Sequence, residues 1–252
     1  MGDSHAALFA QLCFEPGLGK ATYGTGSSVM MNIGKQPLQS PRGLVTSVGF
    51  SYDGEIDYVF EGNIHCTGDT IKWLADNLEV LDSSKSSEAV ATAVEDNGGV
   101  YFVPAFAGLG APYWNNKARA CISGMDRGAT KAHIVRAALE AIAYQIKDVA
   151  DLMTENSGIS LKELRVDGGP TRNRFLMQFQ SDMLNSTIHV SDIEEASALG
   201  VAFMAGLATG LWKNFEELNQ LRKTGDMYQA KMAPEKRKAL YDGWKNAVNQ
   251  IL

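Results

Sequence analysis

The stretch Arg165-Val166-Asp167-Gly168-Gly169-Pro170-Thr171-Arg172-Asn173-Arg174-Phe175 constrains this chain more than any other. Leu161, Leu164 and Val166 alternate as a short strand would, and the glycine pair permits positive φ and close backbone approach. Thr171 or Asn173 is placed to cap a helix running from about Arg174 to Leu184. A strand, a bare turn and a helix start, in that order, let a nucleotide touch backbone; an ordinary strand-to-helix connection is the alternative reading.

Residues 20–34 read as two strands hinged at Gly24-Thr25-Gly26. Glycines there free amide groups to point at phosphate oxygens, and the hydroxyls of Thr25, Ser27 and Ser28 add donors; a plain turn is the competing reading. More strands are expected between Gly43 and Gly62, joined at Tyr52-Asp53-Gly54. A helix from about Gly68 to Asn77 follows, with Ile71, Trp73 and Leu74 on its apolar face. Ser83 to Glu88 reads as an exposed connection, Ala89 to Val94 as helical, and Val100 to Pro104 as a buried strand. The loop Ala107 to Trp114 suits a ligand edge or a packed Ω-loop. After a strand at 120–125, Thr130 caps a helix from Lys131 to about Asn156, with an apolar stripe from Ile134 to Leu152. A strand at Thr187–Val190, an acidic turn at 192–195 and a small-residue helix at Ser197–Gly210 come next. Ala198, Gly200 and Ala202 in that helix permit tight packing or approach to a base. From Leu211 the chain reads as a charged helical tail with Tyr241, Trp244 and Val248 as a docking face. A meander of strands followed by strands alternating with helices predicts an α/β fold, a mixed sheet flanked by helices.

Composition narrows the partners. With 252 residues, 45% of them hydrophobic, the chain can bury a large core, and a net charge of −6 argues against nucleic acid or an anionic membrane surface. Cys13, Cys66 and Cys121 are widely spaced and without a CxxC pair, which indicates neither a disulfide framework nor a zinc cluster and suits a reducing cytoplasm. Adjacent His65 and Cys66 make a poor metal pair, because neighbours on a strand point to opposite faces. No basic leader, lipidation signal or membrane-length apolar run is visible, so no membrane insertion is expected. A nearly all-apolar helix beginning at Asp3 lacks anything before it to pack against, and the expectation is a piece of a longer protein.

The motifs together resemble the C-terminal half of the FGGY family of carbohydrate kinases, most closely the glycerol kinases within it. The resemblance is carried by Gly2-Asp3 ahead of Ala-Ala-Leu-Phe, Tyr23-Gly24-Thr25-Gly26, Glu61-Gly62, Gly68 with Trp73-Leu74 and Phe102 to Phe106. It continues through Gly108 to Trp114, Gly124-Met125 with His133 to Glu140, Arg165 to Gly169, Phe175 to Asp182 and Ala198-Leu199-Gly200. It implies an actin-like, ribonuclease H-like ATPase domain over residues 2–252, the second of two lobes that close over ATP and a small polyol or sugar. The N-terminal lobe, with most Mg2+ ligands and substrate-gripping side chains, would lie outside this sequence. A homo-oligomer is compatible with the sequence, and so is a non-catalytic actin-like module that binds nucleotide or a protein partner.

Residue by residue, the resemblance makes Asp3 the catalytic base. Thr25 and Gly26 become contacts to the phosphates, and Gly68, Lys72, Gly169 and Asn173 line the nucleotide. Lys72 stands where glycerol kinases usually have Gln. Ser4 and Ser28, expected against the substrate, stand where they have Gln and an aromatic residue. Both replacements shrink the side chain, which leaves a xylulokinase-like or other sugar acceptor open beside glycerol.

Overall fold

A computed structural model describes residues 1–40, 43–193, 195–221 and 225–252. Seven strands form one mixed sheet in the order β3 (Val45–Tyr52), β4 (Glu55–Ile64), β2 (Ser27–Gly34), β1 (Leu18–Tyr23), β7 (Glu163–Asp167), β8 (Thr187–Val190) and β9 (Met227–Tyr228). The pairs β1–β7 and β7–β8 are parallel and the others antiparallel. Two hairpins build the antiparallel half. The outer one turns on Asp53 (φ 51°) and Gly54 (φ 78°), the paired positive angles that the sequence Tyr-Asp-Gly-Glu supports. In the inner one, Tyr23 faces Ser27 across Gly24-Thr25-Gly26. A separate two-stranded ribbon, β5 (Tyr101–Val103) with β6 (Cys121–Ser123), lies outside the main sheet.

Alternation along the strands sorts side chains onto two faces, and each face has its own helices. Ala21, Tyr23, Val29, Met31, Phe60, Val166 and Ile188 pack with α2 (Gly68–Asp76), α4 (Lys131–Ser157), α5 (Arg174–Leu184) and α8 (Pro234–Asn249). Leu18, Met30, Phe50 and Val59 on the other face pack with α1 (Asp3–Ala10), α6 (Ala196–Ala208) and α7 (Phe215–Gln220). The second face is closed by an aromatic knot in which Phe14 stacks on Phe215 at 4.1 Å and Phe9 meets Phe50 edge-on. There α1 and α6 cross so closely that a Cβ on Gly200 would overlap the Ala6 carbonyl. Helix packing, not a nucleotide base, therefore accounts for the small residues of that helix.

The expected cap of the long helix is present. Thr130 and His133 form a capping box, and Gly158 ends the helix at φ 69°. Around Asp148, in the middle of α4, Tyr241 donates at 2.6 Å, Trp244 at 2.8 Å and Tyr113 at 3.0 Å. The carboxylate thus fastens α8 and the loop 107–114 to the core, which makes that loop a packed one. Burial pushes Asp148 up to about 6 against the pull of these three donors. Glu140, also buried, rises to about 7 although Arg136 and Asn97 both hold its charged form.

Two expectations need correction. Ser83–Glu88 is not a plain connection: a 3-10 turn at Ser84–Ser86, capped by Ser83, runs into α3 (Ser87–Ala91), so the helix starts earlier and ends sooner than residues 89–94. The region after Leu211 is not one tail. It holds α7, the edge strand β9 and α8, because Asn214 caps one helix and Pro234 opens another. Glu194 of the expected acidic turn, and residues 222–224, lie outside the described residues.

Candidate functional site

The hairpin Gly24-Thr25-Gly26 is bolted to the start of α2. Gly24 O accepts from Gly68 N at 3.0 Å and from Thr67 Oγ1 at 3.1 Å, while Thr25 O accepts from Thr67 N at 2.9 Å and Asp69 N at 3.2 Å. A Cβ on Gly68 would sit 2.5 Å from Gly24 O and 3.2 Å from Pro170 Cγ, so three segments converge where only glycine fits. Beside them Gly168, at φ 102°, lies directly against the Tyr23 carbonyl. Packing thus demands glycine at 168. At Gly169 a Cβ would meet nothing within 4 Å, leaving its bare backbone facing open space.

These turns form one end of a cleft of about 860 Å³. Thr25, Gly68, Lys72, Gly169 and Asn173 all line it, together with Ile71, Leu139, Ile142 and Leu176 as an apolar floor. Asn173 caps α5 by accepting from Leu176 N at 2.9 Å and turns its Nδ2 to Ser87 Oγ at 3.3 Å. Glu88 Oε2 accepts from Arg174 N at 2.9 Å, which ties α3 to the start of α5. Three basic side chains, Lys72, Lys85 and Arg172, face two acidic ones, Asp69 and Glu88, so the cleft is locally cationic in a protein of net charge −6. Backbone donors and cations at one end of an apolar slot suit a ligand with an anionic tail and a flat body.

The remaining predicted residues lie elsewhere. Gly26 is at the hairpin but is not part of the cleft lining, its backbone pressed on Ile64 O. Asp3 is exposed in the first turn of α1, where its carbonyl accepts from Ser197 Oγ at 2.9 Å, and Ser4 follows it, half-buried. Ser28 is on β2, on the α1 side of the sheet, and accepts from Lys20 Nζ at 3.3 Å. Five of the six residues expected against the nucleotide, all but Gly26, thus line one cleft, and Asp3, Ser4 and Ser28 lie on the other face, with the hairpin between them.

Sequence reasoning missed part of both regions. Ser84, Lys85, Ser87 and Glu88 were hidden in a polar run whose only signal was the Ser83–Ser86 cap. Lys20 was passed over as a strand residue, yet it is 1% exposed, with its Nζ on Thr22 Oγ1 at 3.2 Å. Burial pulls this ammonium below its usual range, while the Asp167 and Glu61 carboxylates pull it back up. Asp167 in turn accepts from Gln11 Nε2 at 3.1 Å. Among the described residues no group of three or more His, Cys, Asp or Glu is placed to hold a metal ion, and no helix is long and apolar enough to cross a membrane.

Residues 19–209 match the model of the FGGY family of carbohydrate kinases, C-terminal domain. The chain belongs to that family. It is 51% identical over 249 residues to a glycerol kinase of Petrotoga mobilis, covering 99% of this chain and 50% of that protein. The crystal structure of Plasmodium falciparum glycerol kinase with ADP superposes with a TM-score of 0.95 at 38% identity, over all of this chain and 50% of that one. A xylulose kinase of Rhodospirillum rubrum, at 22% identity, a TM-score of 0.86 and 99% coverage of this chain (50% of that one), shares the fold. The chain spans about half the length of the curated relatives it matches. Its layered architecture is that of the actin-like, ribonuclease H-like ATPase domains.

Proposed function

We propose that this chain is the nucleotide-binding half of an ATP-dependent kinase that phosphorylates glycerol to glycerol 3-phosphate, with residues 2–252 as the C-terminal lobe and the other lobe supplied by sequence beyond it. The observation that carries the reading is the cleft itself, in which Thr25, Gly68, Lys72, Gly169 and Asn173 meet at the ends of β1 and β7. The identity of the glycerol kinases it resembles, spread over the whole chain, supports the acceptor. The xylulose kinase shares only the fold at its level of identity, so a ketose acceptor draws no support from it.

In this reading ATP lies with its base over Leu139 and Ile142 and its phosphates toward Thr25 and the hairpin turn. Asp3 takes the proton of the acceptor hydroxyl as that oxygen attacks the γ-phosphorus and ADP leaves. Phosphoryl transfer through a loose transition state rests mostly on positioning, a task to which a carboxylate at a helix start is suited. Gly169 and Asn173 hold the nucleotide, Gly26 and Thr25 shape the phosphate turn, and Ser4 and Ser28 face the acceptor. Among the described residues no group of three or more His, Cys, Asp or Glu is placed to hold a metal ion, and in this reading the Mg2+ that accompanies ATP would depend on carboxylates of the other lobe. Cys13, Cys66 and Cys121 are not in disulfides, which agrees with a reducing cytoplasm.

A coupled assay tests this. The complete two-lobed enzyme with ATP and glycerol should turn over, and Asp3→Asn should lower kcat by about 10²- to 10⁴-fold while ATP affinity stays within about twofold. The present chain alone should show no turnover and no tight glycerol binding, because the closed, water-poor cleft requires both lobes. Unchanged kcat in the Asn variant would refute the base.

A further inference from the structure

On the α1 side of the sheet, just below the glycine hairpin, four neighbouring strands place polar side chains where a sheet face is normally apolar. Thr22 and Ser28 are direct cross-strand partners on β1 and β2, and Lys20 lies one pleat below them. Its Nζ donates to both hydroxyls, at 3.2 Å and 3.3 Å. Glu61 on β4 and Asp167 on β7 flank the ammonium from either side. Lys20 and Asp167 are buried, whereas Thr22, Ser28 and Glu61 are half-buried and Asn63 is exposed. The charge is therefore underneath, and the groups it orders are at the surface.

Donor and acceptor rules then fix what that surface offers. An ammonium only donates, so Ser28 Oγ must accept from Lys20 and turn its own proton to Glu61 Oε1 at 3.4 Å. Asn63 Nδ2 donates to the same oxygen at 3.4 Å. On these two residues what remains is acceptor capacity, a lone pair of Ser28 and the second oxygen of Glu61, while Thr22, which also accepts from Lys20, keeps its own hydroxyl proton and Asn63 a second amide hydrogen. The Ser28–Glu61 pair takes hydroxyl donors and disfavours a carboxylate, which brings like charge to Glu61 and no proton.

We propose that Glu61 and Ser28, held in register by Lys20, form the polar floor of the acceptor site and select a neutral polyol over an anionic hydroxy acid. The inference rests on the reading above, which puts the acceptor on the face that carries Asp3 and Ser28, and it adds the ligand class that face takes. Glu61 touches the acceptor and Lys20 is a positioning residue that acts through Ser28.

The test compares glycerol with glycerate, which replaces one terminal alcohol by a carboxylate, as acceptors for the complete two-lobed enzyme. Glu61→Gln should raise the KM for glycerol about tenfold and reduce the kcat/KM preference for glycerol over glycerate about tenfold, with the KM for ATP within about twofold. A folded Gln variant with unchanged glycerol KM and unchanged preference overturns the proposal. Parallel rises in both KM values also overturn it, since they mark a structural role. Should Glu61→Gln not fold, Ser28→Ala, which removes a single oxygen, decides: a rise of about threefold in glycerol KM alone supports the floor and no rise refutes it. Asp3→Asn is measured alongside. Unchanged kcat there refutes only the base, and no phosphorylation of glycerol by the unaltered two-lobed enzyme sinks the kinase reading, whereas a parent that turns over beside an unaltered Glu61→Gln enzyme sinks only the floor.

Discussion

The two faces of the sheet are built by different means. On the α2–α4–α5 side the cleft is made of backbone and bare turns: Gly68 and Gly168 let segments touch, and Gly169 leaves its peptide open. On the α1–α6 side the surface is made of side chains, ordered by a buried ammonium and two carboxylates. Backbone recognition suits phosphates common to every nucleotide, because amides do not vary with sequence. Side-chain recognition suits the acceptor, where substitution at a position such as Ser28 changes what fits. The hairpin Gly24-Thr25-Gly26 is the hinge between a conservative face and an adjustable one.

If the faces are independent, damage to one should spare the other. The largest effect is expected from Gly200→Ala. Its methyl would overlap the Ala6 carbonyl, which has no rotamer to yield, so α1 and α6 must separate. Urea unfolding should show a loss of about 3 kcal/mol. Calorimetric affinity of the folded protein for ADP should stay within about twofold, and a tenfold loss would break the comparison by coupling the faces.

Asp148→Asn probes the core under the cleft side. Three donors converge on that carboxylate, and an amide offers one acceptor oxygen in place of two, for a loss of about 2 kcal/mol at low pH. The pH dependence carries a definite sign. Burial raises the native value to about 6 from the ordinary aspartate value, so the contribution of this group is full below the ordinary value and is lost as pH rises through the raised one. Thermal unfolding of the parent relative to the Asn variant should therefore gain about 1 kcal/mol between pH 7 and pH 5. A gain in the opposite direction would mean that the three donors outweigh desolvation.

The smallest effect is expected at Asn173→Ala. Loss of the cap on α5 should cost about 1 kcal/mol in chemical denaturation. The missing amide should weaken ADP about threefold to tenfold, while the Asp3 face is left alone. Weakened glycerol affinity in the complete enzyme with normal ADP affinity would reverse the assignment of faces.

Much of the architecture was readable without coordinates because its signals are local. Paired positive-φ residues at Asp53-Gly54, the Thr130 cap and the Gly158 stop act within a few residues, and so does Asn173 at the start of α5. The turns that line the cleft were readable for the same reason, since a bare turn between strand and helix is written in consecutive residues. Ser83–Glu88 was misread because a run of serines looks alike as an exposed connection and as a capped helix start; contact with Asn173 and Arg174, far along the chain, separates the two.

By itself the sequence determined most of the succession of strands and helices and the glycine turns, since periodicity and φ are properties of neighbouring residues. Only the tertiary structure decided that Lys20, Ser28, Glu61 and Asp167, up to 147 residues apart in number, share one patch, and that Asp3 and the nucleotide cleft lie on opposite faces. Strand register sets both, and register depends on which strands pair across the sheet, a choice that no single stretch of chain records.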